Sequence, residues 1–177
     1  MTDQSSHASL AARVAEAAYL TGEFVLRSGA ISQHYFDKYR FEADPELLRA
    51  VAEGLVPLVP DDAEVIAGLE LGGIPIATML SQLTGLPARF VRKAAKTYGT
   101  CLLAEGGDID GRRVVVVEDV VTSGGQVITS CGDLRERGAD IVAVLCAIDR
   151  QAGGAAALAE HGLELRALLT ADQLSSV

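Results

Sequence analysis

Residues 113–130, RVVVVEDVVTSGGQVITS, constrain the fold more than any other part of the chain. Positions 114–117 are four valines in a row, the pattern of a strand buried on both faces of a parallel sheet. The run ends in two acids, Glu118 and Asp119. Val120, Val121, Thr122, Ser123, Gly124, Gly125 and Gln126 follow, and then a helical pattern begins. In a strand–loop–helix of this kind, the loop N–H groups and the helix N-terminus form an anion site. Gly124 and Gly125 have no Cβ, so the backbone can come close to a ligand. Carboxylates at the carboxyl end of a strand accept hydrogen bonds from a sugar diol, and open α/β sheets bind ligands at that end. The stretch therefore reads as a site for a phosphorylated sugar. It is not a Walker loop, because no Gly-Lys-Ser/Thr opens the helix.

The rest of the chain supplies the elements such a site needs. Strands are expected over 64–69, 88–91, 140–148 and 163–169. Helices are expected over 9–20, from Pro45 to about 56, over 74–83, up to about 137 and over 153–161. Asp44 caps a helix that has Pro45 at its first position. Gly22 and Gly138 stop helices, and Thr170 caps a final turn. Residues 1–7 are expected to fray. Strands alternating with helices imply a parallel sheet with right-handed crossovers. The ends of three strands then face one cleft, with Glu70-Leu71-Gly72-Gly73, residues 118–125 and Asp149-Arg150. With 177 residues, the chain is expected to form one domain, residues 1–177. Residues 1–43 would be a helix and a hood, and about 44–177 the α/β core.

Residues 92–111 are polar and glycine-containing, without periodicity. A loop of that length points to a lid. Arg92, Lys93 and Lys96 place three cations at a strand end, suited to a diphosphate. Tyr35, Phe36, Tyr39 and Phe41 cluster in a segment that reads as a strand or flap covering something. Composition narrows the function. A net charge of −9 argues against a nucleic-acid surface. Cys101, Cys131 and Cys146 fit neither a disulfide framework nor a zinc site, and are expected as thiols in a reducing cytoplasm. The N-terminal MTDQSSH lacks the regions of a signal peptide, and no apolar run reaches the ~20 residues of a membrane span.

The acidic pair and Thr-Ser-Gly-Gly loop resemble the phosphoribosyl diphosphate (PRPP) loop of the type I phosphoribosyltransferases. Further motifs resemble one branch, the orotate phosphoribosyltransferases. Arg92-Lys93-x-x-Lys96-x-Tyr98-Gly99 is similar to their catalytic loop. Residues 22–29, GEFVLRSG, resemble their N-terminal signature. Glu70 to Pro75 resembles their diphosphate loop, Tyr35-Phe36 falls where aromatics line the orotate pocket, and Arg150 falls where an arginine contacts orotate. The chain departs from many members in three places. Arg27 replaces a lysine, Leu71-Gly72 replaces an aromatic-Lys pair, and Tyr98 replaces a histidine.

The resemblance implies the type I phosphoribosyltransferase fold: an α/β core with a mainly parallel sheet flanked by helices, under a small N-terminal hood. It implies transfer of ribose 5-phosphate from PRPP to orotate, giving orotidine 5′-phosphate and diphosphate in pyrimidine (UMP) biosynthesis. Asp119, Glu118 and Lys96 are the implied catalytic residues. The implied PRPP contacts are Arg92, Lys93, Lys96, Glu118, Asp119, Val120, Val121, Thr122, Ser123, Gly124, Gly125, Gln126, Leu71 and Gly72. Orotate would meet Thr122, Arg150, Tyr35, Phe36 and Arg27. Mg²⁺ is the implied cofactor, held mainly by substrate and water. A cytoplasmic homodimer follows, in which the 92–107 loop completes the neighbouring active site; that loop is expected to be mobile without ligand. Neither nucleic acid nor membrane is an expected partner.

Two alternatives stay open. One is a phosphoribosyltransferase for another nucleobase, against which Arg150 and the GEFVLRSG signature speak. The other is a PRPP-sensing regulator of the same fold, which the acidic charge disfavours. A nucleotide-dependent methyltransferase is more distant, since only Glu70 to Gly73 offers a Gly-rich loop.

Overall fold

A computed structural model describes residues 4–25, 29–94 and 102–176. Arg27, Lys96, Tyr98, Gly99 and Cys101 lie outside them. The valine run forms the centre of the structure. Strand β6, Arg113–Val121, lies between β3, Val65–Leu69, and β7, Asp140–Asp149. The sheet is completed by β4, Ala88–Val91, and β5, Ala104–Glu105, on one side and β8, Leu165–Thr170, on the other, in the order β5-β4-β3-β6-β7-β8. All neighbours run parallel except β4 and β5.

Alternation along β6 sends side chains into two apolar layers. Val115 and Val117 face one layer with Ile76, Leu80, Val51 and Leu55. Those partners come from α3, Pro45–Leu55, and α4, Gly73–Thr84. Val114 and Val116 face the other with Val127, Cys131, Leu134 and Leu158. These belong to α5, Gly125–Arg135, and α6, Gly154–Glu160. All four valines are fully buried, as a strand covered by helices on both faces requires.

The N-terminal segment adds α1, Gln4–Ala18, and an antiparallel hairpin of β1, Tyr19–Val25, and β2, Ile31–Phe36. This hairpin is the expected hood. A short helix, α2, Tyr39–Ala43, leads from the hood into α3. Asp44 caps α3 as expected, its Oδ1 accepting from the N–H groups of Glu46 and Leu47 at 2.9 and 3.0 Å. The chain closes with α7, Ala171–Ser175, where Thr170 and Gln173 form a capping box.

The structure corrects three expectations. Helix α1 begins at Gln4, inside the stretch expected to fray, and gives way to β1 at Tyr19, before Gly22. Strand β6 does not end at the acids. Glu118 and Val121 stay in register with Cys146 and Asp149 of β7, so the acidic pair belongs to the strand. The 92–111 segment is not all loop. Val91 pairs with Ala104 and Phe90 with Glu105, while Leu103 and Ala104 are buried, so its second half is packed structure.

Candidate active site

The chain enters the sheet at β3, and β4 and β6 lie on opposite sides of it. That reversal of direction is the topological switch point where open α/β sheets hold ligands. The loops leaving β3 and β6 meet there. A Cβ at Gly73 would overlap the carbonyl oxygen of Val117, and one at Gly72 would overlap the carboxylate of Asp119. Gly72 has an ordinary helical φ of −70°, so its glycine serves space, not backbone conformation. Leu71 beside it is exposed, available to solvent or ligand.

Asp119 is completely buried. Its Oδ1 accepts from the Val120 N–H at 2.5 Å. Its Oδ2 faces the Lys38 ammonium at 2.6 Å. Glu118, half-buried, accepts from the Asp119 N–H at 3.2 Å. A third acid, Glu42 of α2, is also buried, and burial first, with the Asp119 charge second, pushes it up to about 9. Carboxyls this close cannot all ionise. Burial, with the neighbouring Asp119 charge, pushes Glu118 up to about 9. Burial also acts to raise Asp119, but hydrogen bonds from Glu118 and Lys38 outweigh it and hold Asp119 below the usual carboxylate range. Burial acts to lower Lys38, yet the Asp119 hydrogen bond and the Asp119 and Glu118 charges leave it raised. At neutral pH the cluster therefore carries one carboxylate, Asp119, matched by Lys38.

Thr122 and Ser123 are exposed at the mouth of the loop after β6, and Gly124 turns the chain with φ 77°. That left-handed conformation favours glycine. Behind the loop, a Cβ at Gly154 would stand 2.6 Å from the Thr122 carbonyl, so α6 packs directly on it. Gly125 and Gln126 open α5 with their side exposed, and the Gln126 amide donates to Ser130 Oγ at 3.3 Å. The loop thus presents backbone N–H groups at a helix start.

Arg150 follows β7 and donates its N–H to the Val121 carbonyl at 2.9 Å. Its guanidinium lies 5.8 Å from the centroid of the Phe36 ring, within cation–π range. Phe36 stacks edge-on with Tyr19 at 5.0 Å, and Tyr35 with Phe24 at 5.4 Å. The hood aromatics therefore reach the strand ends. On the other side, Arg92 pairs with Glu105 at 3.3 Å and Lys93 is exposed just beyond it. Arg92 is thus fixed to the packed stem of its loop. Lys96, Tyr98 and Arg27 lie outside the described residues, so only part of the expected cation cluster is seen.

Lys38 and Glu42 were not among the sequence candidates. The one signal for Glu42 was an acid directly after the buried Phe41. Nothing in the local pattern tied either residue to Asp119.

A parallel sheet with an acid pair at its switch point, followed by a small hydroxylic loop and a capped helix, defines the phosphoribosyltransferase class. The model of the phosphoribosyl transferase domain matches residues 39–160. Orotate phosphoribosyltransferase of a Nocardioides species is 54% identical over 169 residues, covering 96% of this chain and 94% of that protein. The orotate phosphoribosyltransferase of Halobacterium salinarum is 44% identical, covering 86% of this chain and 87% of that one. The Mycobacterium tuberculosis orotate phosphoribosyltransferase, crystallised with Fe(III) dicitrate, superposes with a TM-score of 0.87 at 32% identity, covering 96% and 98% of the two chains. Its complex with PRPP superposes with a TM-score of 0.82 at 30% identity, covering 96% and 99%. The chain belongs to the orotate phosphoribosyltransferase family.

Proposed function

We propose that the protein transfers ribose 5-phosphate from PRPP to orotate, forming orotidine 5′-phosphate and diphosphate. The observation that carries this reading is the buried acid cluster at the β3–β6 switch point, flanked by the 122–126 loop and by Arg150. Thr122, Ser123, Gly124, Gly125 and Gln126 bind the 5′-phosphate through backbone N–H groups and the start of α5. Glu118, the more exposed of the two acids, faces the ribose hydroxyls, and Asp119, buried beside it, acts on the ribose through its charge. As the bond from the anomeric carbon to diphosphate stretches, positive charge develops on the ring, and the Asp119 carboxylate stabilises it. Lys93 and Lys96, with Arg92 at the loop stem, balance the charge of the leaving diphosphate. Backbone around Leu71 and Gly72 completes that side.

Among the described residues no three metal-ligating side chains gather into a cation site. A magnesium ion would take its oxygens from diphosphate, sugar hydroxyls and water, in keeping with its reluctance to dehydrate. Bound there, it supplies charge neutralisation. The homodimer, with the 92–107 loop reaching the neighbouring site, belongs to the same reading. So does a cytoplasmic location, supported by the buried free thiols Cys131 and Cys146. Among the described residues no helix is long and apolar enough to cross a membrane.

The direct test is orotate consumption, followed by absorbance, with PRPP and Mg²⁺ and with each omitted. Turnover requires all three. If another base is consumed in its place, the base assignment is wrong.

Arg150 tests the base pocket. Its guanidinium is exposed over Phe36 and suits the orotate carboxylate. Arg150→Ala is expected to raise the orotate KM about tenfold or more, the scale of a lost charged hydrogen bond. PRPP binding should stay within about twofold, since the loop that binds it does not use this side chain. A collapse of PRPP affinity with orotate KM unchanged would place the base elsewhere.

A further inference from the structure

We propose that Gln151 is a positioning residue for base recognition: clamped to Asp172 at the start of α7, it fixes the direction in which Arg150 leaves β7 toward the hood. The inference rests on the role proposed above for Arg150. Gln151 was not among the sequence candidates. Among the described residues it is the one residue other than glycine with a positive φ, 54°. An L side chain holds that conformation at a cost, which glycine escapes. A glutamine persists there only where its surroundings over-determine it.

Hydrogen bonds from both backbone and side chain do so. The Gln151 N–H donates to Asp149 Oδ1 at 2.8 Å. The side-chain Nε2 donates to Asp172 Oδ2 at 3.0 Å, and Oε1 accepts from the Asp172 N–H at 2.9 Å. That N–H can only donate, so the amide has one orientation. The sheet brings the partners together. Asp149 of β7 lies opposite Thr170 of β8, and Gln151 and Asp172 each follow two residues later. Asp172 is held in turn, because α7 opens on its capping box and buries Leu174 in the same apolar layer as Leu10 and Val14 of α1.

Arg150 stands between the anchored residues 149 and 151. Its N–H is tied to the Val121 carbonyl at 2.9 Å. Its guanidinium lies 5.8 Å from the Phe36 centroid, near the ~6 Å limit of a cation–π contact, too loose to set its direction alone. The backbone on either side therefore sets the aim. Should Gln151 relax to a negative φ, the peptide that joins it to Arg150 turns, and the arginine turns with it. The clamp itself is exposed, so water competes for its hydrogen bonds and it adds little to stability. A glycine would have avoided the backbone cost, so the glutamine side chain serves the neighbouring residue.

Gln151→Gly separates aim from strain, since glycine adopts this φ freely. Its Tm should stay within a few degrees of wild type. Orotate KM should rise by about threefold to tenfold, and no further than in Arg150→Ala, because the arginine is misaimed and not removed. PRPP KM should stay within about twofold. In an Arg150→Ala background Gln151→Gly should raise orotate KM no further, as expected of a residue that acts through another. Asp172→Ala should move orotate KM in the same direction, and Asp172→Asn, whose amide oxygen still accepts from Nε2, should restore it. A crystal structure of Gln151→Gly without substrate reads the aim independently of the reaction: the Arg150 guanidinium should leave the Phe36 ring or spread over several rotamers. A guanidinium still ordered over Phe36 would overturn the positioning role. So would a wild-type orotate KM in Gln151→Gly where Arg150→Ala raises it, or additive losses in the double variant. A wild-type orotate KM in Arg150→Ala itself would remove the base assignment, and the inference would fall with it.

Discussion

Asp119→Asn should lower kcat by on the order of 10²-fold or more, the scale found when one preorganised electrostatic group is removed from a transition state. The substitution is nearly isosteric, and the Val120 N–H can still donate to the amide oxygen. What disappears is the single negative charge of the cluster. Glu118 is a poor replacement, because burial, the first cause of its raised pKa, remains when the Asp119 charge is gone. The loss should fall on kcat more than on KM, since ring charge exists mainly in the transition state. Stability should change little. Lys38 loses its partner, but its side chain is 33% exposed and can turn its ammonium to water. The Tm is expected to stay within a few degrees of wild type. Normal turnover in folded Asp119→Asn protein would remove Asp119 from the mechanism.

Much of this site was legible because its chemistry is local in the chain. The run from Val114 to Gly125 states strand, acids, loop and helix in order, and each step has a physical cause. Strand β6 was nonetheless read too short. Acids are depleted in strands, so the first one looks like an end. Here Glu118 and Asp119 stay in the ladder because β7 continues alongside them. The surroundings of Asp119 were not legible. Lys38 caps a five-residue helix that contains Glu42, too short to show periodicity, and Lys38 meets Asp119 only through the tertiary fold. The proton distribution was hidden for the same reason. Read along the chain, Glu118 and Asp119 look like two equal anions. Folded, burial raises Glu118 while the Lys38 ammonium at 2.6 Å helps hold Asp119 below the usual carboxylate range.

The same fold gives a reason for the departure at Leu71-Gly72, and a prediction with a large expected effect. Gly72→Ala should damage both stability and turnover. The backbone of Gly72 already has helical angles that alanine adopts freely, so any effect comes from the added methyl group. That methyl would stand 2.9 Å from Asp119 Cβ and overlap the carboxylate beyond it. Asp119 has little room to retreat. Its Oδ1 is tied to Val120 N–H, its Oδ2 faces Lys38, and its neighbours Glu118 and Val120 are held in the ladder with β7. Overpacking of this kind typically costs about 1–3 kcal/mol. In a domain of this size that lowers Tm by roughly 2–12 °C. Turnover should fall by at least about tenfold even in protein that remains folded, because the methyl pushes aside the carboxylate that acts on the ribose. Measuring Tm and kcat on the same preparation separates the two effects. Wild-type values for both would mean that the loop and Asp119 lie farther apart in solution than the structure places them, and that Gly72 is free to carry a side chain.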